Sequence, residues 1–581
     1  MATVRISREG RRLVVHSSIA YKDAIGTVPT REWDPKNRVW RFDPYPWVAF
    51  RLVFEVRRIA AVVGDDVEVD AATADLAKDA VPVPDLVREF TETPIEKADG
   101  SRFDPWRHQF VGSRLVRRLR AVYLAWEMGT GKTKGVIDSL LLAIEAAFAE
   151  ISAETVASAS GTTLNLIVSP ASVVEVWERE VSKHVEDSDL KFVVAASRHR
   201  TTKKRVEAAE YAIEKARETN RSAIVVTNFE SFVLDGSPML RFAESIEWDT
   251  LTADEAHRLA NPGSKTSRAL TSRIGPRSRK RIALSGTPMR NTPLDLYSQC
   301  KFLDPGIFGS NQRQFLERYA VLDFFGNVVG LQNTDELAAR FNLIAYRIDK
   351  RTVLRDLPPV TPFKDRIRRF DLSEEAMRIY RTFEEELVVS VGRGELKASN
   401  ALVQLLRSQQ MTSGYVPIED EEGNGRIEEI DSGKKNEAGE ILDGIVDSEP
   451  VVFFCRFRKD LDAVADLAKE RGRRYFELSG RVNELREWQD DTGGSVIGIQ
   501  IQSGGVGVDA TRASYGIFYS VGFSLSDYEQ AVARLDRPGQ KNPVTIYNLV
   551  ARGTVDEAVF GSIGSKGNVV EGVLDYLRGK R

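Results

Sequence analysis

The chain has 581 residues, too many for one hydrophobic core, which favours about three or four domains. Its 82 basic and 85 acidic residues nearly cancel, which excludes a nucleic-acid binder of overall positive charge but not a locally basic cleft. Two distant cysteines exclude a disulfide scaffold, and no apolar stretch is long enough to cross a bilayer.

Residues 1–92 are predicted to be a small α+β accessory domain. In Arg31–Phe42, two aromatic-bearing strands flank a turn of Asp, Pro and Asn, which is typical of a hairpin. The pattern favours a structural cap with a tryptophan core, and the alternative is a module that engages DNA. Val81–Lys97, rich in Pro, Asp and Glu, is predicted to be a linker. The N-terminus lacks the apolar core of a signal peptide, so we expect a cytoplasmic protein, prokaryotic or viral.

A glycine-rich loop follows the first apolar strand of the next segment. Two glycines allow backbone N–H groups to curl around phosphate oxygens, and the helix that follows adds its positive dipole end. Lys132 is expected to reach the β- and γ-phosphates, and the Thr133 hydroxyl is expected to ligate Mg²⁺. Trp126 stands where the full pattern has its first glycine. The residues predicted to bind nucleotide here are Met128, Gly129, Thr130, Gly131, Lys132 and Thr133.

A carboxylate pair at the end of a later apolar strand completes the pattern. Asp254 is predicted to hold the metal through its water shell, and Glu255 to orient and deprotonate an attacking water. The two motifs together predict a site for ATP and Mg²⁺, with Lys132, Asp254 and Glu255 as catalytic residues and with Thr133 and Asp254 at the metal.

Short apolar strands separated by helical segments predict two α/β parallel sheets in series. Residues 93–305 are assigned to the first, 306–440 to a helical insertion and linker, and 441–581 to the second with C-terminal helices. Within these regions Ala146–Gly161 is predicted as helix then flexible loop, and Glu419–Lys435 as a mobile insertion. The predicted strands are Val122–Ala125, Leu164–Ser169, Ala223–Thr227, Thr250–Ala253 and Arg281–Ser285, then Val451–Cys455, Arg474–Leu478, Val496–Ile501, Tyr515–Tyr519 and Val544–Val550.

Further motifs between and beyond the two nucleotide motifs resemble those of Swi/Snf-type superfamily 2 helicases, in the family's order. They are Leu166–Pro170 with Trp177 and Glu180, Val226–Glu230, Asp254–Lys265, Leu284–Pro288, Arg351–Pro358, Val452–Phe457, Gly504–Asp509 and Gln530–Gln540. The resemblance covers roughly 103–560. It implies two RecA-like domains in tandem with helical insertions. The chain departs from the family pattern at Trp126, usually Asp, and at Gln500–Gln502, often Ser-Thr-Arg.

The resemblance also implies roles for individual residues. Gln109 matches the glutamine that reads adenine, and Arg534 and Arg537 match arginine fingers supplied by the second domain. Ser285, Thr287 and Gln530 would couple the nucleotide to the DNA cleft. The expected DNA contacts are Ser172, Thr227, Asn228, Arg456, Gly504 and Gly505.

The N-terminal hairpin carries a second, shorter resemblance. Trp33-Asp34-Pro35 and Val39-Trp40 resemble part of the HARP module of annealing helicases, which remodel stalled forks and rewind single-stranded bubbles. This likeness implies a DNA-engaging role for the accessory domain.

The predicted function is an ATP-dependent DNA translocase that tracks on duplex DNA and remodels branched DNA by fork regression, branch migration or strand annealing. Its partner would be duplex or branched DNA, bound without sequence preference and in a salt-sensitive manner. The alternatives are a strand-separating DNA or RNA helicase, a nucleotide-gated DNA-binding scaffold with little turnover, and a motor coupled to a nuclease on another chain. No membrane association is predicted, and the identity of any protein partner is left open.

Overall fold

The computed structural model describes residues 3–154, 162–196, 201–289, 292–324, 326–392, 398–419, 425–501, 508–565 and 573. These residues fall into two compact units, Met1–Val353 and Leu354–Arg581. Within the described ranges, none of the helices combines the length and the apolar character needed to cross a membrane. The predicted domain boundaries after residues 92, 305 and 440 stay a proposal.

The accessory domain at the start of the first unit has a five-stranded sheet and four helices. Its sheet has the order β3-β4-β2-β1-β5, with β5 parallel to β1 and the other pairs antiparallel. The elements are β1 (Thr3–Glu9), β2 (Arg12–His16), α1 (Lys22–Gly26), β3 (Glu32–Asp34), β4 (Val39–Phe42), α2 (Pro46–Val63), β5 (Asp66–Val69), α3 (Ala71–Lys78) and α4 (Val83–Glu92).

The predicted hairpin is confirmed as β3 and β4, but the expected tryptophan core is wrong. Trp33 is 45% exposed and packs on Trp40 at the outer edge of the sheet. Aliphatic residues of β1 and β2, with Phe42 and one face of α2, form the core instead. The predicted linker is also wrong over α4, because Val83 and Leu86 are buried there. Pro82 and Pro84 lie at the start of α4, where no N–H is needed for a helical hydrogen bond.

The rest of the first unit contains a seven-stranded parallel sheet between helices. Its strand order is β14-β6-β11-β10-β7-β9-β8. The elements are α5 (Arg107–Arg118), β6 (Ala121–Trp126), α6 (Lys132–Glu154), β7 (Leu164–Ser169), α7 (Val174–His184), α8 (Ser188–Lys191), β8 (Phe192–Ala196), α9 (Thr202–Glu218), β9 (Ser222–Asn228), α10 (Pro238–Ser245), β10 (Trp248–Asp254), α11 (Lys265–Arg268), β11 (Ser278–Leu284), α12 (Leu296–Leu303), α13 (Gln312–Tyr319), β12 (Ala320–Leu322), β13 (Val328–Leu331), α14 (Thr334–Asn342), β14 (Ala345–Ile348) and α15 (Lys350–Val353).

The second unit repeats the architecture with a six-stranded parallel sheet. Its strand order is β15-β22-β21-β18-β20-β19. The elements are β15 (Ile367–Phe370), α16 (Glu374–Gly392), α17 (Ala398–Thr412), β16 (Tyr415–Glu419), β17 (Gly425–Glu429), α18 (Gly433–Asp443), β18 (Val451–Cys455), α19 (Arg458–Glu470), β19 (Tyr475–Leu478), α20 (Leu485–Asp490), β20 (Val496–Gln500), β21 (Tyr515–Phe518), α21 (Leu525–Leu535), β22 (Thr545–Ala551) and α22 (Val555–Gly564).

Both sheets have the predicted α/β class, and all ten predicted strands occur, with ends shifted by a few residues at most. In these two sheets the strands that the sequence did not predict, β8, β14 and β15, are edge strands. Charged residues interrupt the apolar pattern of β14 and β15, whereas β8 is entirely apolar. The region 306–440 is therefore not purely helical, since β14 joins the first sheet and β15 the second.

Two smaller expectations concern loops. The predicted mobile insertion contains β17 and the start of α18, so most of its described part is regular structure, and residues 420–424 lie outside the described ranges. The helix predicted at Ala146 is the end of α6, and the loop predicted beyond it, 155–161, also lies outside them.

Candidate nucleotide-binding site

The phosphate loop joins β6 to α6 through two glycines in the left-handed region. Gly129 has φ +80° and Gly131 φ +81°, values that favour glycine. A Cβ on Gly131 would also collide with the side-chain nitrogen of Gln109. The Thr130 hydroxyl donates to the Glu127 carbonyl at 2.7 Å and closes the turn. The loop is thus held in shape by its own backbone before any ligand binds.

Helix α5 supports this loop from one side. Gln109 is buried, accepts from the Trp106 N–H at 3.0 Å and donates to the Thr130 carbonyl at 3.2 Å. His108 Nε2 lies 2.7 Å from the same carbonyl. Both ends of the Gln109 amide therefore contact the protein here, and its predicted contact with adenine stays a prediction.

Trp126 is a fully buried core residue at the end of β6. Its ring fills the space next to Gly112 and Gly135, where a Cβ would meet it. Edge-on contacts with His108 and Tyr346, at centroid distances of 5.0 and 5.7 Å, complete its surroundings. Trp126, which stands in place of the first glycine of the pattern, therefore packs against α5, α6 and β14 and holds them beside the loop.

Lys132 begins α6 with its ammonium group turned back to the loop. It donates to the Trp126 carbonyl at 2.8 Å. Burial lowers the pKa of Lys132, while the charges of Glu255 and Asp254 raise it and so favour the charged form. Thr133 follows in the first turn of the helix. The basic group expected at the phosphates thus lies within electrostatic reach of both predicted catalytic carboxylates.

Asp254 ends the central strand β10 and is buried. Its Oδ2 accepts a hydrogen bond from the indole Nε1 of Trp177 in α7 at 3.0 Å. Burial, followed by the charge of Glu255, raises the pKa of Asp254 to about 7. A cation beside this carboxylate would offset both effects.

Glu255 continues from β10 in the left-handed region, with φ +56° and ψ +52°. Burial alone would raise the pKa of Glu255. His257, whose Nδ1 lies 3.3 Å from Glu255 Oε2, lowers this pKa through its hydrogen bond and charge. Together with the charge of Lys132 it holds the pKa below its usual value. The pKa values of the two neighbouring carboxyls are thereby separated, and Glu255 is the more readily ionised.

His257 connects this motif to the Ser285–Pro288 segment after β11. His257 Nδ1 lies 3.0 Å from the Ser285 hydroxyl, which also accepts from the Thr287 N–H at 3.1 Å. A Cβ on Gly286 would lie 3.3 Å from the backbone nitrogen of Met128. Of the two residues predicted to couple nucleotide and DNA, Ser285 therefore contacts the carboxylate motif and Thr287 is bonded to Ser285, while Gly286 between them lies close to the phosphate loop.

No group of three or more His, Cys, Asp or Glu in the described ranges is arranged to hold a metal ion alone. Mg²⁺ usually takes only one or two protein ligands and completes its shell with phosphate and water. Thr133 and Asp254, beside a cradle for phosphates, fit that donor set.

The predicted DNA contacts of the first unit differ in exposure. Ser172 is exposed in the turn after β7, whereas Thr227 and Asn228 are buried at the end of β9. The Asn228 side-chain oxygen Oδ1 accepts hydrogen bonds from Ser231 and from Arg205, and these bonds stabilise the turn. A DNA contact at these two buried positions would need the backbone rather than the side chain, and the predicted contacts stay predictions.

The predicted site residues of the second unit surround the ends of β18 and α21. The Arg456 guanidinium lies 5.3 Å from the Phe523 ring centroid, and its backbone N–H donates to Ser520. Gly504 and Gly505 lie outside the described residues.

The two arginines of the Gln530–Gln540 motif have different surroundings. Arg534 is buried in α21, and burial lowers its pKa to about 10. Arg537 follows the helix and donates to the Val508 carbonyl at 3.0 Å, while Gln530 within α21 donates to Ser526. Their roles as arginine fingers and coupling residue stay predictions.

Two buried side chains received no role from the sequence. Trp177 was noted in its motif, but only the structure shows its bond to Asp254. Gln299 on α12 is fully buried and hydrogen-bonded to Tyr123, Pro288 and Asp295. The only signal in the sequence was a glutamine in an otherwise mostly apolar helix.

Comparison with known proteins identifies the family. The profile of the SNF2-related domain matches residues 109–413, just over half of the chain. The chain belongs to the SNF2-related domain family. The resemblance to Swi/Snf-type superfamily 2 helicases is thus confirmed, whereas the HARP-like likeness stays a prediction.

Relatives within the family are distant and mostly longer. The CHD3-type chromatin-remodeling factor PICKLE of Arabidopsis thaliana is 24% identical over 473 residues, covering 75% of this chain and 31% of its own length. The DNA repair and recombination protein RAD54B of Gallus gallus is 25% identical over 516 residues, which cover 81% of this chain and 53% of its own length. The chain thus spans about a third to a half of these relatives. Among solved structures, the Sulfolobus solfataricus SWI2/SNF2 ATPase core in complex with dsDNA is 22% identical, covers 84% of this chain and 97% of its own, and has a TM-score of 0.37.

Replacing Trp126 by glycine would restore the full loop pattern, yet we expect it to destabilise the protein. Losing a buried tryptophan should lower the free energy of unfolding by about 3–5 kcal/mol and weaken ATP binding, because the loop loses its support. Urea unfolding and nucleotide titration measure both. Trp33→Ala, at an exposed site, is the control and should change stability by about 0.5 kcal/mol or less. Tighter ATP binding at unchanged stability in Trp126→Gly would contradict this account.

Trp177→Phe removes the N–H donor to Asp254 and keeps most of the packing. Since a hydrogen bond to a charged group contributes about 1.5–3 kcal/mol, Mg²⁺-dependent ATP turnover should fall roughly tenfold or more. ATP binding measured without Mg²⁺ should stay unchanged. Trp248→Phe is the matched control, because that buried indole donates to the Ala243 carbonyl instead. Equal turnover losses in both variants would show that the Asp254 bond has no special importance.

Proposed function

We propose that the chain is an ATP-dependent DNA translocase that tracks on duplex DNA and remodels branched DNA. The observation that carries this proposal is the convergence of Lys132, Asp254 and Glu255 beside a preformed phosphate loop. Membership of the SNF2-related domain family supports it, as does the similarity to a DNA repair and recombination protein.

Each residue has a distinct task in the proposed hydrolysis. Backbone N–H groups of Gly129–Thr133 bind the phosphates, and Lys132 neutralises their charge. Thr133 and Asp254 hold Mg²⁺, which would supply further positive charge at the transferring phosphoryl group. Glu255, whose pKa is held low, accepts the proton of the attacking water. Arg534 and Arg537 are assigned to stabilise the charge of the transition state.

The proposed coupling to DNA begins at the Ser285–Pro288 segment. Ser285 contacts His257, which in turn lies beside Glu255, so a change at the phosphates can reach the end of β11 through two contacts. Gln530 has the corresponding task in the second unit. Ser172 and Arg456 are the proposed side-chain contacts to phosphates, which carry no base information. Binding should therefore be independent of sequence and weaken with salt.

The accessory domain is proposed as the DNA-engaging module. The ring centroids of Trp33 and Trp40 lie 4.9 Å apart with the rings tilted by 55°, and Trp33 is about half exposed. Lys36 and Arg38 on the same hairpin are exposed. An aromatic surface beside cations suits unpaired bases and their phosphates, which occur at forks and bubbles.

Displacement of a third strand from a DNA triplex tests translocation directly, because a motor that moves on the duplex removes that strand without separating the duplex. We expect ATP-dependent displacement by the unaltered protein. Lys132→Ala should abolish displacement and hydrolysis while leaving thermal unfolding almost unchanged. Glu255→Gln should bind ATP normally, hydrolyse it at least a hundredfold more slowly and stay longer on DNA.

Four outcomes would contradict the proposal in different ways. Hydrolysis retained in Lys132→Ala would refute the site. Loss of ATP affinity in Glu255→Gln would refute the division of tasks between Asp254 and Glu255. Duplex separation without triplex displacement would favour a strand-separating helicase, and DNA binding without hydrolysis would favour a scaffold.

A further inference from the structure

The accessory domain supplies helix α2, whose first turn is capped by a residue from the domain of the seven-stranded sheet. Tyr45, at the N-cap of α2, makes no side-chain capping bond. Instead, the Trp47 N–H donates to Asp304 Oδ2 at 2.9 Å, and Asp304 Oδ1 accepts from the Gly306 N–H at 2.7 Å. Asp304 follows α12 and is fully buried. A carboxylate at a helix N-terminus satisfies unpaired N–H groups and favours the helix dipole.

The two domains approach each other closely around this carboxylate. A Cβ on Gly306 would lie 2.5 Å from the carbonyl carbon of Trp47, so only glycine allows the contact. Arg51 of α2 donates to the Gly306 carbonyl at 3.1 Å. The buried Arg281 guanidinium of β11 lies 4.2 Å from the Tyr45 ring centroid. Backbone, charge and ring contacts around Asp304 thus fix the accessory domain to the domain of the seven-stranded sheet.

Helix α12 also holds the Ser285–Pro288 segment, which contacts His257 beside the catalytic Glu255. Gln299, in the middle of α12, donates to the carbonyls of Pro288 and Asp295 at 2.8 Å each. Its side-chain oxygen Oε1 accepts from the Tyr123 hydroxyl at 2.7 Å. All these groups are buried or partly buried, and α12 ends where the Asp304 N–H bonds to the Cys300 carbonyl. A shift of α12 would therefore move Pro288 and strain the Ser285 contacts.

We propose that the accessory domain positions the Ser285–Pro288 segment through α12, with Asp304 as the positioning residue. DNA held by the accessory domain then changes the rate of hydrolysis, a regulation that rests on the proposed ATPase function. Asp304 touches neither nucleotide nor DNA in this scheme. It acts by keeping α12 between the α2 cap and the Gln299 bonds.

The test compares Asp304→Ala, Asp304→Asn and Gly306→Ala with the unaltered full chain. ATP turnover is measured with and without a model fork, and hydrogen exchange of the peptide 296–303 is measured without DNA. In Asp304→Ala and Gly306→Ala, stimulation by the fork should fall roughly fivefold or more while KM for ATP stays within about twofold. Exchange should accelerate roughly tenfold. Asp304→Asn keeps an acceptor oxygen for the Trp47 N–H and should recover at least half of the stimulation.

Asp70→Ala is the matched control, because Asp70 caps α3 inside the accessory domain by accepting from the Thr73 N–H at 2.8 Å. It should leave both the stimulation and the exchange of 296–303 unchanged. Equal losses in Asp70→Ala and Asp304→Ala, or unchanged stimulation and exchange in Asp304→Ala, would overturn the inference. If the unaltered protein shows no stimulation by DNA, the proposed function fails. The exchange rates then decide the inference alone: unaltered exchange in Asp304→Ala and Gly306→Ala overturns it, and accelerated exchange supports it.

Discussion

The site depends on two adjacent carboxylates buried at the end of the central strand β10. Placing Asp254 and Glu255 together away from water is unfavourable unless neighbouring groups compensate. The Trp177 indole, His257 and the charge of Lys132 provide this compensation, and each comes from a different element. The requirement explains why α7, the turn after β10 and the phosphate loop must meet at one edge of the sheet.

The sequence predicted the parts of the structure that follow from local pattern. Val451–Cys455 is a continuous apolar run, Leu164–Ser169 is apolar except at Asn165 and Ser169, and both are interior strands with the predicted bounds. The edge strand β14 was missed because Tyr346 and Arg347 interrupt its apolar pattern. The phosphate loop was predicted from its two glycines followed by Lys132 and Thr133, and the glycines are required because φ above zero restricts the residue type at Gly129 and Gly131.

Tertiary contacts account for what the sequence did not predict. Trp126 departs from a motif, but its fit between α5, α6 and β14 is visible only when those elements are assembled. A capping carboxylate is usually found next to its helix in sequence, whereas Asp304 is more than 250 residues from Trp47. Thr227 and Asn228 have residue types that suit phosphate contact, yet the end of β9 buries both. Long-range partners of this kind leave no local pattern.

The account is tested most directly by the steady-state ATPase rate at one fixed salt concentration. The rate is compared without nucleic acid, with single-stranded DNA, with linear duplex, with a model fork and with RNA. The account predicts stimulation by duplex DNA and the greatest stimulation by the fork, because the accessory domain would engage its unpaired bases. Stimulation only by single strands or RNA, with none by duplex or fork, would contradict a duplex translocase.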